Sequence, residues 1–328
     1  MPHGLIVKAL SGYYYVLPED GENMTSVQCR ARGIFKKRGE SPLVGDRVLY
    51  GLTENGEGTV DEILPRSSEL LRPQVANVEL AVLVFAVQEP ALNLQLLDKF
   101  LVHTESAGLE TIICLTKQDL MVADATSDSD TLYQPQKWSG SSAKSGSVED
   151  VEILSGSMNY IVELYEKIGY QVVVTSAKMG VGIEPILERL SGRISVFAGQ
   201  SGVGKSSLLN AMVPGLQLET NQISMKLGRG KHTTRHVELI RLNNGGLVAD
   251  TPGFSQLDFA QVEEAEDLSA CFKEFQPYTA ECKFRGCQHQ HEPECKVIEA
   301  KDQGKISASR YDHYLHFLTE IKERKRRY

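Results

Sequence analysis

Short segments rich in apolar residues, each bounded by polar turn residues, fill the first part of the chain up to about Ile63. They read LIVKAL, YYYVL, VQCRARGIF, DRVLY and GTVDEI. Clusters of Gly, Pro, Asn and Asp separate them, as expected for a small all-β barrel or sandwich. The stretch that follows, RSSELLRPQVANV, has the composition of a linker. The pattern therefore predicts a β domain at the N-terminus.

The pattern changes at Glu79, where continuous apolar runs begin to alternate with helical stretches. The runs read LAVLVFAV, TIICLT, YQVVVTSA, ISVFAG and GLVAD, and two of the helical stretches are Leu94–Ser106 and Lys205–Met212. Continuous apolar runs of this length are typical of strands that are buried on both faces. Strands that alternate with helices predict a parallel sheet with helices on both of its faces.

Two further regions differ from this α/β pattern. Residues 121–157 are rich in Ser, Asp and Gly, which predicts a flexible surface insertion. From about Glu263 the sequence predicts a helix, a cluster of Cys and His, and a last helix in SASRYDHYLHFLTEIKERKRRY. We therefore expect three domains, at residues 1–70, 71–262 and 263–328 of the 328-residue chain.

Composition and charge restrict the class of protein only slightly. A hydrophobic content of 41%, a charged content of 24% and a net charge of −8 are ordinary for a soluble globular protein. The run Leu80–Val87 is too short to cross a bilayer, and the N-terminus lacks the features of a signal peptide. We expect a cytoplasmic protein that does not contact membranes. Basic clusters at Arg30–Arg38 and Lys322–Arg327 are candidates for nucleic-acid contact, although such clusters are usually solvated faces.

A phosphate-binding loop follows the run ISVFA and opens the helical stretch at Lys205. Its pattern is G-x-x-x-x-G-K-S. In this context backbone N–H groups hold phosphate, the lysine contacts the β and γ oxygens, and the serine binds Mg²⁺. The residues expected to contact nucleotide here are Gly199, Gln200, Ser201, Gly202, Val203, Gly204, Lys205, Ser206 and Ser207.

A D-x-x-G turn, Asp250 to Gly253, ends the run GLVAD. In such a turn the carboxylate supports Mg²⁺ and the glycine N–H reaches the γ-phosphate. The pattern is weak alone, but its place after an apolar strand and downstream of a phosphate loop favours a nucleotide switch.

Between these two elements, GRGKHTTRHVEL carries Thr233 and Thr234, and a mobile threonine loop of this kind reaches Mg²⁺ in nucleotide switches. An ordinary Ser/Thr loop would show the same spacing.

Phe254 occupies the position after Gly253 where Ras-like enzymes have a glutamine that orients water. We therefore expect slow intrinsic hydrolysis, and His232 is the nearest residue in sequence that could replace the glutamine.

The element that reads guanine lies upstream of the phosphate loop, as Thr116-Lys117-Gln118-Asp119. A carboxylate here accepts hydrogen bonds from guanine N1–H and from the exocyclic amine, a donor pair that adenine lacks. The lysine stem would lie along the base. The site therefore selects GTP or GDP.

A second base-contacting element, Ser-Ala-Lys, occurs twice. Ser176-Ala177-Lys178 ends the run YQVVVT, so it can lie at the sheet edge where ligands bind. Ser142-Ala143-Lys144 lies in the polar insertion without a preceding strand, and we take it as a coincidence.

The order of these elements is that of a GTPase which has been cut open and rejoined, a circular permutation. Base reader, second base element, phosphate loop, threonine loop and D-x-x-G follow one another along the chain. A P-loop kinase of metabolism is a competing interpretation, but Asp119, the D-x-x-G turn and the absence of an obvious acceptor-binding lid count against it.

The cluster ECKFRGCQHQHEPECKV has the spacing Cys282-x4-Cys287-x-His289-x5-Cys295. Three thiolates and one imidazole suit a closed, tetrahedral, structural Zn²⁺ site. His291 competes with His289 as the fourth ligand, because the spacing does not separate them.

Together these motifs closely resemble the RsgA family of GTPases, also called YjeQ or YloQ, over nearly the whole chain. The resemblance implies an N-terminal OB-fold that binds RNA, a central permuted GTPase domain and a C-terminal zinc domain. It also implies a GTPase that binds the small ribosomal subunit and its rRNA, is stimulated by the subunit, and acts late in the maturation of the subunit. We expect the protein to be a monomer.

The resemblance also assigns residues. It implies that Thr116–Asp119 read guanine, that Gly199–Ser207 hold phosphate, that the Cys3His set holds zinc, that His232 is catalytic, and that Thr234 rather than Thr233 is the switch threonine. Thr116 stands where Asn is commoner in the family, and the insertion after Asp119 looks unusual. In an alternative interpretation the protein is a nucleotide-gated RNA-binding module whose hydrolysis is incidental.

Overall fold

Five strands near the N-terminus close into a barrel, as the short segments separated by turn residues predict. The computed structural model describes residues 1–19, 25–53, 56–71, 74–120, 158–213, 237–250 and 265–326. The barrel strands are β1 (His3–Leu10), β2 (Tyr13–Pro18), β3 (Val27–Ala31), β4 (Arg47–Leu52) and β5 (Gly58–Ile63). They run in the order β1-β2-β3-β5-β4, and pairing of β1 with β4 closes the barrel.

The segment VQCRARGIF, predicted as one strand, instead changes from strand to helix. Helix α1 (Gly33–Arg38) follows β3 and ends at Gly39, whose backbone is left-handed at φ 68°. Phe35 is the buried residue of this helix and packs into the barrel core. Because one buried aromatic ring holds so short a helix in place, its stability comes from packing rather than from local periodicity.

The stretch predicted as a linker is instead a structured hairpin on the barrel. Strands β6 (Glu69–Leu71) and β7 (Gln74–Ala76) pair antiparallel. Arg66 binds the fully buried carboxylate of Asp46 through both Nε, at 2.7 Å, and Nη2, at 2.8 Å. Asn77 donates a hydrogen bond of 2.8 Å to the Gly45 carbonyl. These contacts fix the connection between the barrel and the domain that follows.

The central domain is built on a parallel sheet, as the continuous apolar runs predict. Its strands are β8 (Leu80–Ala86), β9 (Glu110–Thr116), β10 (Gln171–Val174), β11 (Ile194–Ala198) and β13 (Leu247–Asp250), in the order β10-β9-β8-β11-β13. One more strand, β12 (Glu238–Arg241), which the sequence did not indicate, pairs antiparallel with β13.

Helices cover both faces of this sheet. They are α2 (Leu94–Ser106), α3 (Met158–Ile168), α4 (Glu184–Leu190) and α5 (Lys205–Met212). Alternate residues of β8 face opposite sides: Leu83 packs in the core that contains Phe100 of α2, whereas Val82 packs in the core that contains Leu208 of α5. Because every residue of β8 is buried, the strand is apolar throughout.

The barrel and the central sheet are continuous through one strand pair. The first residues of β1 pair with β4, and farther along β1, Lys8 pairs with Glu238 of β12. The Lys8 ammonium also contacts the Glu238 carboxylate at 2.7 Å. The two parts therefore share a sheet, and their buried residues form one continuous apolar cluster.

The C-terminal part is helical and has a core of its own. It contains α6 (Ala265–Ala270), a short 3₁₀ turn (Lys273–Phe275), α7 (Gln276–Thr279), α8 (Lys296–Asp302) and α9 (Ala308–Arg326). Phe272, Phe275 and Tyr314 pack against one another with ring centroids about 5 Å apart. Val102 of α2 joins this core, so the C-terminal part packs directly on the central domain.

A buried ion-pair cluster lies at this contact between domains. Arg310 of α9 binds Asp98 of α2 at 2.5 Å and Glu274 at 2.7 Å, and the Arg310 side chain is 2% exposed. Tyr165 of α3 donates a hydrogen bond of 2.7 Å to Asp98.

Among the described residues, no helix has the length and apolar content needed to cross a bilayer.

Candidate nucleotide site and metal centre

The phosphate loop lies where the sequence predicts it, between the end of β11 and the start of α5. Gly199 has φ 147°, and a Cβ at this position would lie 2.1 Å from the Val84 carbonyl oxygen. Gly204, with φ 100°, is the residue before α5. Both positions require glycine, the first because β8 passes so close and the second because its backbone is left-handed.

Lys205 lies across this loop. Its ammonium donates hydrogen bonds to the carbonyls of Gly199, at 2.7 Å, and Gln200, at 2.6 Å. Burial lowers the pKa of Lys205 to about 8. Two neutral carbonyls offset only part of the cost of burying this cation, so a phosphate anion would be a stronger partner. Ser206 follows at the N-terminus of α5, where backbone N–H groups also favour an anion.

Thr116 connects the base-reading segment to the phosphate loop. It ends β9, is 4% exposed, and donates its hydroxyl to the Val203 carbonyl at 2.5 Å. The same hydroxyl lies 3.3 Å from the Phe85 carbonyl at the end of β8. The structure therefore places Thr116 inside the protein, in contact with the loop.

Asp119 and Ser176, one residue from each predicted base element, contact each other directly. The Ser176 hydroxyl donates a hydrogen bond of 2.7 Å to Oδ1 of Asp119. This bond, helped by the nearby Lys178 and Lys117, lowers the pKa of Asp119. The carboxylate is therefore ionised and oriented at neutral pH, as an acceptor of guanine N–H groups must be.

A tight turn holds the second base element. Ser176 and Val181 exchange both backbone hydrogen bonds at 3.0 Å, and Ala177 and Lys178 lie within the turn they close. Gly182 ends it with φ 73°, where a Cβ would lie 2.2 Å from the Val174 carbonyl oxygen. Of the two Ser-Ala-Lys sequences, the described one thus lies beside Asp119, and Ser142–Lys144 lies outside the described residues.

Lys117 has a left-handed backbone, with φ 63°, and its ammonium donates a hydrogen bond to the Glu89 carbonyl in the loop after β8. The adjacent Gln118 donates its N–H to the Thr175 carbonyl at 3.2 Å. Glu89 had no signal in the sequence, because a carbonyl contact depends on the backbone path and not on the residue type.

Of the predicted switch and catalytic residues that follow α5 in the chain, only Asp250 belongs to a described element. It ends β13, whose neighbour in the sheet is β11, so its backbone lies at the same sheet edge as the phosphate loop. His232, Thr233, Thr234, Gly253 and Phe254 lie outside the described residues.

The predicted metal ligands converge in the C-terminal part. One ligand atom from each of Cys282, Cys287, His289 and Cys295 lies within 4.8 Å of all the others. The Cys282 and Cys295 sulfurs are 3.9 Å apart, close to the edge of about 3.8 Å expected when thiolates lie ~2.3 Å from a tetrahedral ion. His291 is exposed and outside this set. The four residues therefore fit a tetrahedral Zn²⁺ ion.

Hydrogen bonds from inside and outside the loop that carries the ligands hold it in place. Tyr311 donates to the His289 carbonyl at 2.6 Å, and Tyr314 donates to the Gln288 carbonyl at 2.8 Å. Burial alone would raise the pKa of Glu292. The carboxylate accepts hydrogen bonds from the backbone N–H groups of Gln288 and of two neighbouring residues, and these lower its pKa to about 2. These supporting residues gave no motif in the sequence, because their side chains bond backbone groups whose positions depend on the fold.

A phosphate loop that contacts a Thr-Lys-x-Asp element preceding it in the chain is the arrangement of a circularly permuted GTPase. Family models support this class: the RsgA GTPase model matches residues 63–138 and 141–260, and the RsgA N-terminal domain model matches residues 3–60. The chain belongs to the RsgA GTPase family. The GTPase match runs through most of residues 121–157.

Full-length relatives and solved structures agree with this assignment. Proteins named small ribosomal subunit biogenesis GTPase RsgA are 48% identical in Bacillus velezensis and 47% identical in Bacillus subtilis, over 100% of both chains. The crystal structure of YloQ, a circularly permuted GTPase, covers 99% of this chain and 96% of its own with TM-score 0.76 and 41% identity. YjeQ from Thermotoga maritima covers 98% of both chains with TM-score 0.75 and 35% identity.

Proposed function

We propose that this protein hydrolyses GTP while it is bound to the small ribosomal subunit, late in the maturation of that subunit. One observation supports the GTPase part most strongly: the Asp119–Ser176 pair and the phosphate loop lie at one sheet edge and are joined through Thr116. The names of the full-length relatives support the ribosomal part.

The residues divide into three roles in this proposal. Asp119 accepts the guanine N–H groups, and the backbone of Ser176–Lys178 contacts the guanine oxygen. Gly199–Ser207 hold the phosphates, and Lys205 neutralises the charge that develops on them. Ser206, Asp250 and Thr234 would hold Mg²⁺, which supplies positive charge to the phosphates when it is bound with GTP. His232 would orient the attacking water.

Contact with rRNA is proposed for the outer face of the barrel. Tyr13 and Arg30 are cross-strand neighbours on β2 and β3, and the Arg30 guanidinium lies 4.7 Å from the centre of the Tyr13 ring. The exposed side chains of Lys36, Lys37 and Arg38 follow on α1. Aromatic rings beside cations bind unpaired bases and phosphates, and OB-folds use the face of their second and third strands in this way.

We further propose that the protein acts as a cytoplasmic monomer with one structural Zn²⁺ ion. The nucleotide site needs residues from one chain only, and the Cys3His set has the geometry of a closed zinc site. Light scattering of the purified protein and elemental analysis test these two statements.

The decisive experiment measures hydrolysis of GTP and of ATP, with and without purified small subunits. We expect GTP turnover that rises when subunits are added and negligible ATP turnover. A GTPase rate that subunits leave unchanged would favour a nucleotide-gated binding module, and ATP turnover equal to that of GTP would contradict the base-reading role of Asp119.

The barrel face is tested in parallel with a pair of variants. Tyr13→Ala/Arg30→Ala should weaken co-sedimentation with subunits and leave GDP binding unchanged. Arg189→Ala, which removes an exposed arginine of α4 far along the chain from the barrel, is the matched control and should co-sediment normally.

A further inference from the structure

The metal ligand His289 presents its two ring nitrogens to different partners. Nδ1 lies 3.3 Å from the sulfur of Cys295 and 3.7 Å from that of Cys282. Nε2 lies 3.0 Å from the hydroxyl oxygen of Ser269 on α6. His289 and Ser269 are both buried, with exposed fractions of 2% and 5%. The ring is thus positioned between the thiols and a residue outside the ligand loop.

A neutral imidazole carries one proton, and the nitrogen that binds a metal ion must be the one without it. A hydrogen bond from the other nitrogen therefore decides which atom is available to the metal. The rings of Phe275 and Tyr314 pack beside the imidazole with centroids about 6 Å away.

We propose that Ser269 is a positioning residue of the metal centre, whose hydroxyl accepts a hydrogen bond from Nε2–H of His289 and so directs Nδ1 toward the ion. The serine does not touch the metal. It orients the ring and fixes its tautomer, as carboxylates and carbonyls do for metal-binding histidines in other proteins.

This role makes α6 a part of the metal centre although it lies outside the ligand loop. Leu268 and Phe272, on either side of Ser269, are fully buried in the C-terminal core. The position of the hydroxyl therefore depends on the packing of α6, and zinc affinity should change when that packing changes. The inference rests on the proposal that the Cys3His set binds zinc, and the experiments separate the two.

The first experiment measures release of zinc from the intact purified protein to a colorimetric chelator. Ser269→Ala should weaken zinc affinity by about 10–100-fold, because Nε2–H loses its acceptor and the ring loses its preferred tautomer. Ser269→Thr keeps the hydroxyl and should retain most of the affinity. Ser309→Ala is the matched control: its hydroxyl bonds Ser307 and does not contact the metal set, so release should equal that of the wild type.

The second experiment needs no variant. Nitrogen NMR of the ¹⁵N-histidine-labelled, zinc-loaded protein reports which ring atom binds the metal and which carries the proton. We expect Nδ1 bound and Nε2 protonated. The reverse assignment, or a Ser269→Ala protein that retains zinc as tightly as the wild type, would overturn the role of Ser269. A wild-type protein that binds no zinc would overturn both proposals.

Discussion

At the residue scale, the Asp119 carboxylate is held by a hydrogen bond from a distant part of the chain. The Ser176 hydroxyl that holds its carboxylate is 57 residues away. The same bond contributes most to the lowered pKa of Asp119. We therefore expect selectivity for guanine to need both predicted base elements, although only the carboxylate would contact the donor pair.

Asp119→Asn should weaken GDP binding by about 2–3 kcal/mol, because an amide cannot replace both charge-assisted hydrogen bonds to guanine. Calorimetry with GDP measures the loss. Asp302→Asn, which changes an exposed carboxylate of α8, is the control and should bind GDP normally. Unchanged GDP affinity in Asp119→Asn would mean that the base reader lies elsewhere.

Lys205 makes nucleotide binding depend on pH. Its pKa in the nucleotide-free protein is about 8, lowered by burial, and bound phosphate favours the charged form. As pH rises through 8, the Lys205 ammonium of the free protein loses its proton. Nucleotide binding must then restore that proton, which weakens the affinity. GDP affinity should therefore be about tenfold weaker at pH 9 than at pH 7, as one proton taken up on binding requires.

Calorimetry at pH 7, 8 and 9 measures this dependence, and Lys205→Ala separates Lys205 from other titrating groups. The variant should bind GDP more weakly and lose the decrease between pH 7 and 9. If the variant shows the same decrease as the wild type, another group is responsible for it.

At the scale of elements, α9 is held against α2 by a cluster of buried charges. Arg310, Asp98 and Glu274 have side-chain exposures of 2%, 0% and 8%. Taking such groups out of water is costly, so the cluster is stable only while every charge has its partner. His313 adds a contact of 2.5 Å from Nδ1 to Asp98.

Arg310→Met should destabilise the protein by about 3–5 kcal/mol, because it leaves two buried carboxylates without their cation. Urea unfolding followed by circular dichroism measures the change. The control is Arg189→Met, which removes an arginine from an exposed ion pair with Glu110 and should cost less than about 1 kcal/mol. Equal losses in the two variants would show that burial of the Arg310 cluster has no special effect.

At the scale of the whole molecule, the barrel and the C-terminal part contact the central domain at different elements. The barrel joins β12 through the Lys8–Glu238 pair, whereas the C-terminal part packs on α2. The candidate nucleotide site lies at the ends of β9, β10 and β11. Loss of the metal centre should therefore leave the nucleotide site intact.

A Cys287→Ala/Cys295→Ala double variant should lack zinc, retain GDP and fail to co-sediment with small subunits. The ligand loop should unfold without the ion, since metal binding supplies roughly 10–16 kcal/mol of folding free energy in zinc-finger peptides. Elemental analysis, calorimetry and sedimentation measure the three properties.

Cys114→Ala is the control for this variant, because it removes a buried thiol of β9 outside the ligand set. It should keep zinc and co-sediment normally. A double variant that lacks zinc and still binds subunits with full affinity would show that the metal centre has no role in docking.

The sequence alone determined the features that depend on residues close together in the chain. The phosphate loop and the spacing of the candidate metal ligands are local features, because their residues lie close together along the chain. The continuous apolar runs predicted the strands of the central sheet. The ends of the helices Leu94–Ser106 and Lys205–Met212 were also predicted correctly. The order of the motifs was sufficient to predict the permutation.

Only the tertiary structure decided the features that depend on distant residues. Thr116 and Val203 are 87 positions apart, and Asp98 and Arg310 are 212 apart. Helix α1 and the β6–β7 hairpin exist because a buried ring and the Arg66–Asp46 pair hold them, and neither leaves a periodic pattern. The contact of Ser269 with His289 joins two residues that carry no shared motif. Such contacts arise when the chain packs, because the free energy that fixes them comes from burial and from long-range pairing rather than from local preference.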